Sequence, residues 1–180
     1  DSPVNSYPDL TDLSEESWVT LMMTENVTPP AFIKGVTEEI RRINYAKNIR
    51  QNLENQFPNR VVKQSCIDTE HIDEISNFFS TADELGYNFR TEPLDRFVKE
   101  QDINISQEGL NDLRQTQRMY NVSSSIDDAK MLMSKGFTSA RSIAGTPFQS
   151  YQKILSDSLS DEEVIKSHAR ATEINTRTNL

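Results

Sequence analysis

Ile40, Ile43, Ala46, Ile49, Leu53 and Phe57 follow one another at intervals of three or four residues. Only a helix brings positions at that spacing onto one face, so this run dictates about five turns of helix. Arg41, Arg42, Lys47 and Arg50 fall mostly on the other faces. Thr37 stands where an N-cap hydroxyl is needed. Glu38 and Glu39 follow, where carboxylates meet the positive end of the helix dipole. Pro58 is expected to stop the helix, because it has no N–H and its ring clashes with the preceding turn.

The same punctuation recurs along the chain. Ser14 is a cap, with Leu13 and Trp18 at the spacing of a hydrophobic staple. Trp18, Leu21 and Met22 would form the inward face of that helix, which ends by Thr28–Pro30. After a short run around Val61 and Val62, a helix is expected from about Thr69 to Phe79, continuing towards Gly86. Thr91 before Pro93 signals a short helix facing inward through Leu94, Phe97 and Val98. Ser106 caps another, with Ile105 and Leu110 as its staple and a stripe through Leu113, Gln117 and Tyr120. Ser125 opens a helix from Ile126 to about Ser134, which Gly136 ends in the left-handed conformation. Pro147 is expected at the first helical position of the next helix, and Ser160 with Glu163 reads as a capping box for the last.

Five glycines and seven prolines are too few for the turns of a β-sandwich or barrel. The fold class is therefore all-α: an array of about seven or eight short and medium helices packed as helical hairpins. Residues 1–12 read as a linker or arm, 13–125 as one helical subdomain, and 126–180 as a second that continues into a longer chain. The expected core comprises Trp18, Leu21, Ile40, Ile43, Ile49, Leu53, Phe57, Phe78, Phe97, Leu113, Tyr120, Leu132, Ile143, Phe148 and Leu155. A chain of 180 residues with 35% hydrophobic side chains is lean for a self-sufficient globule, so neighbouring segments are expected to complete some stripes. Both ends read as cut from a longer polypeptide.

A net charge of −9 argues against nonspecific binding to phosphate backbones or anionic lipid surfaces. No apolar run approaches the roughly 20 residues of a membrane-spanning helix. Cys66 is the single cysteine, so no internal disulfide can form. Cys66 and His71 lie close in sequence and His168 far downstream, a set too sparse for a structural zinc. A cysteine–histidine nucleophile drawn from the same residues would lack a glycine elbow. Glu15–Glu16, Glu38–Glu39, Asp127–Asp128 and Glu162–Glu163 could suggest acid–base chemistry, yet each falls in a first helical turn, where the dipole explains it. Asn26, Asn104 and Asn121 begin glycosylation sequons, a pattern common by chance. No catalytic, cofactor-binding or metal-binding residue is assigned, and the chain reads as non-enzymatic.

One segment admits a different function. MLMSKGFTSARSIAGTPFQSYQKIL has the helix–glycine turn–helix outline of helix-hairpin-helix modules, which present backbone N–H groups to phosphates. Lys135 and Arg141 are nearly its only cations, so a nucleic-acid-binding module across 126–155 stands as the alternative.

The ordered set of segments resembles a known family. LSEESWVTLM, then GVTEEI, INYAKNI and LENQFP, are similar to a stretch in the A component of Tc insecticidal toxin complexes. Phe78–Phe79, TEPLDRFV, LRQTQRMYNV, LMSKGFTSARSIAGTPFQSYQKIL and DEEVIKSHARATEI continue the likeness, which runs from Leu13 to Ile174. Related bacterial virulence-plasmid proteins share the last pattern. The resemblance implies an α-helical shell segment of a very large pore-forming, toxin-translocating protein that is secreted or attached to the bacterial surface. Its implied partners are other domains of the same polypeptide and identical subunits, with no nucleic acid and no direct membrane contact from this segment. The family offers no catalytic residue to carry over here.

Overall fold

A computed structural model describes residues 7–66 and 70–178. Among them all regular structure is helical: one 3-10 helix and ten α-helices, more than the seven or eight expected. The chain divides into two compact units, residues 1–64 and 65–180. The expected division after residue 125 falls inside the second unit.

The first unit holds the 3-10 helix Tyr7–Asp12, α1 (Glu15–Thr24), α2 (Glu38–Gln56) and α3 (Pro58–Ser65). Ser14 and Thr37 cap α1 and α2 as expected, each hydroxyl accepting an N–H three residues on, at 3.1 and 3.2 Å. Helices α1 and α2 pack together around Trp18, Met22, Ala46 and Leu53. Leu10, Leu13, Val27, Tyr45, Ile49 and Phe57 flank that core. Each fully buried large apolar side chain contributes about 1.5–3 kcal/mol relative to exposure.

Two expectations fail in this unit, and a third is incomplete. Residues 7–12 are no linker, because Leu10 packs into the core, Thr11 is buried, and Tyr7 meets the Phe57 ring edge-on at 5.7 Å. Residues 1–6 of the expected arm lie outside the described residues. Leu21 and Ile40 are 42% and 38% exposed and leave the core, while Ile43 is only half-buried. Pro58 does stop α2, but it also opens α3, where a first-turn position needs no N–H.

The second unit holds α4 (Ile72–Glu84), α5 (Leu94–Glu100), α6 (Gln107–Val122), α7 (Ile126–Ser134), α8 (Ala140–Ala144), α9 (Phe148–Leu155) and α10 (Asp161–Thr178). Thr69, the expected start of α4, is outside the described residues. Helix α6 packs against α4, α5, α7, α8 and α10, and α10 packs against α8 and α9. Phe78, Phe79, Tyr87, Phe89 and Phe97 form one aromatic cluster, in which Tyr87 stacks on Phe97 at 4.1 Å. Tyr151 fills the space under α10, its hydroxyl 2.8 Å from Ser167 Oγ. Phe148, expected beside it in the core, is 38% exposed.

Ser106 and Ser125 cap α6 and α7 as expected, at 3.1 Å in both cases. Gly136 takes φ +87° after α7. The short α8, which has no apolar stripe to announce it, is opened by a capping box between Ser139 and Ser142. Pro147 sits one position earlier than expected, at the N-cap of α9. Ser160 caps α10 through the Glu163 N–H at 3.2 Å, but the Glu163 carboxylate does not complete the box. It accepts the Ser124 N–H at 2.8 Å instead.

Candidate functional site

Cys66 follows the last turn of α3 and is 5% exposed. Burial pushes its thiol up from the ordinary value, against smaller opposing effects of the Ser65 hydroxyl and Lys130. A thiol held protonated in this way is a poor nucleophile. His71 precedes α4 and lines an open concavity of about 520 Å³ with Glu70, Glu108, Asn111 and Asp112. Cys66 does not line it. His168 stands elsewhere, on α10, with Nε2 3.0 Å from the Thr146 carbonyl oxygen and its ring against Phe148 and Tyr151. The two histidines therefore do not share a site with each other, and the concavity joins His71 only to exposed acids and an amide. Among the described residues no three His, Cys, Asp or Glu side chains converge as metal ligands.

The paired carboxylates occupy first helical turns, as the dipole argument expects. Several also have local partners. Glu15 meets Lys47 at 3.6 Å, Glu38 meets Arg41 at 2.8 Å, and Asp128 accepts from Ser125 Oγ at 2.7 Å. Glu162 accepts from Lys166 at 2.5 Å, a bond that holds its carboxyl below the usual range. Two of the three sequons have their hydroxyls engaged inside the fold: Ser106 Oγ donates to Glu74, and Ser123 Oγ donates to the Met119 carbonyl.

The turn that suggested phosphate binding satisfies its own donors. Gly136 N–H reaches Met133 O, Phe137 N–H reaches Leu132 O, and the N–H groups of Thr138 and Ser139 both reach Ser142 Oγ. A phosphate bound there would have to displace those bonds.

What the polar side chains do is tie connecting segments to helices. On α2, Arg41 donates to the carbonyls of Pro29, Pro30 and Ile33 at 2.9–3.1 Å. Arg42 reaches Val27 O at 2.9 Å and Asn44 reaches Lys34 O at 2.8 Å. The α1–α2 loop is rich in proline, so its carbonyls outnumber its N–H donors and side chains must serve them. Gly35 lets the loop close on Arg41, since a Cβ there would lie 2.8 Å from both the Arg41 backbone nitrogen and Cγ. The loop so held shows Phe32 and Val36 to solvent, 70% and 91% exposed. Arg50 donates to Thr11 O at 2.6 Å, and Arg60 pairs with Asp9 and Asp12.

The second unit uses the same device. Gln117 on α6 donates to the carbonyls of Phe89 and Glu92 and to the Tyr87 hydroxyl, and accepts from Leu94 N–H. Glu74 on α4 accepts both the N–H and the hydroxyl of Ser106, at 3.0 and 2.5 Å. Ser123 O, at the α6–α7 junction, accepts from Arg90 at 3.1 Å and from Arg170 at 2.9 Å. Arg90 also lies over the Tyr120 ring, 4.4 Å from its centre.

From the sequence, Arg41 and Arg42 are expected only to lie off the apolar stripe of α2, and no sequence pattern assigns a role to Glu74, Arg90 or Arg170. The one available signal for the first pair was the proline-rich loop a few residues before them. No family model matches this chain, no curated protein matches it, and no solved structure matches it.

Proposed function

We propose that this chain is a non-enzymatic structural and interaction segment of a large protein resembling the A component of Tc toxin complexes, within its α-helical shell. Its partners on this reading are other domains of the same polypeptide and identical subunits. Nucleic acid and direct membrane contact have no part in it. One observation carries the scaffold half of the proposal: Arg41, Glu74, Arg90, Gln117 and Glu163 are all directed at the chain's own loop carbonyls, N–H groups and hydroxyls. Side chains used in this way fix the geometry of short helices, which a shell segment needs. The toxin half rests on the ordered motifs from Leu13 to Ile174.

The test is the reading frame that encodes the chain. A single frame extending far beyond this segment, with a channel-forming region, is the expected result. A frame that ends close to this segment overturns the toxin assignment. A mobility-shift titration with duplex DNA at low salt addresses the alternative, and no retardation is expected, because an acidic surface repels the phosphate backbone.

A further inference from the structure

We draw no further inference here: the strongest candidate, the exposed apolar tip of the α1–α2 loop formed by Phe32 and Val36, is an unpartnered surface, and nothing in the structure shows what covers it.

Discussion

Glu163 on α10 accepts the backbone N–H of Ser124, thirty-nine residues earlier, at 2.8 Å. This bond joins the first turn of α10 to the junction between α6 and α7, beside the Ser123 carbonyl that Arg90 and Arg170 serve. Replacing Glu163 with alanine removes the acceptor while the Ser124 donor stays inside the fold. A loss of about 0.5–1.5 kcal/mol is expected, the net contribution of a typical hydrogen bond, because Ser124 is only half-buried. Glu163→Gln keeps a carbonyl in place and should lose less. Urea denaturation of the three proteins checks this, and equal midpoints for wild type and Glu163→Ala would show that the bond does not hold the junction.

The contact between Glu74 and Ser106 makes stability depend on pH. Two hydrogen bonds from Ser106, first through its hydroxyl and then through its N–H, hold the Glu74 carboxyl below its ordinary value of 4.5. A carboxyl depressed in the folded state stabilises the fold above its unfolded value, and that contribution is lost as pH falls through the folded one. Wild type should therefore lose more stability than Glu74→Gln on going from pH 5 to below 4. Thermal melts across that window provide the comparison, and parallel curves would remove Glu74 from the acid response.

At the alkaline end the relevant group is Tyr87. Burial pushes its hydroxyl up to about 12, against the lowering effect of the bond from Gln117. A phenol whose folded value is raised favours the folded state at neutral pH, and this contribution fades as pH rises from 10 towards 12. Tyr87→Phe should flatten that part of the stability profile. Absorbance titration should show Tyr87 ionising well above pH 10 in wild type, with buried Tyr151 also raised, and Tyr87→Phe should remove the Tyr87 part of that late-ionising signal.

Arg41 is expected to matter more than its place on the polar side of α2 suggests. Its guanidinium reaches three carbonyls at once and an acid besides. Lysine has one ammonium and cannot reproduce that fork. Both Arg41→Lys and Arg41→Met should cost about 1–3 kcal/mol and speed amide exchange in residues 31–36. Rescue by lysine would mean that charge, and not the shape of the donor set, holds the loop.

How far the sequence could be read follows from the kind of interaction involved. The caps at Ser14, Thr37, Ser106, Ser125 and Ser160 and the stop at Gly136 were legible, because each is a local bond between residues a few positions apart. The contacts of Glu163, Glu74, Arg90 and Gln117 were not, because each joins residues about twenty to forty positions apart, and no local pattern marks such a pair. Helices α3 and α8 were missed for a related reason. Eight and five residues are too few for a stripe to repeat, and Pro58 reads as a stop when only the preceding helix is considered. Periodicity also fixed which residues share a face without fixing how much of that face is covered. Ile40 lies on the α2 stripe with Leu53, yet only the later turns of that stripe are roofed by α1.

That distinction can be tested with one substitution made at two places. Leu53 is 2% exposed in the core with Trp18, Met22 and Ala46, so aspartate there buries a charge with no partner. Such a charge either drives local opening or takes up a proton at a cost of several kcal/mol, close to the whole stability of a small domain. Leu53→Asp is therefore expected to abolish cooperative unfolding of the first unit. Leu21 belongs to the same predicted inward face of α1 as Trp18, but at 42% exposure an aspartate can remain hydrated. Leu21→Asp should shift stability by less than about 1 kcal/mol, in line with substitutions on open helix surfaces. Far-ultraviolet circular dichroism with thermal melting separates the two outcomes. A folded Leu53→Asp would mean that α1 and α2 do not enclose their stripe, and an unfolded Leu21→Asp would mean that a further surface covers it.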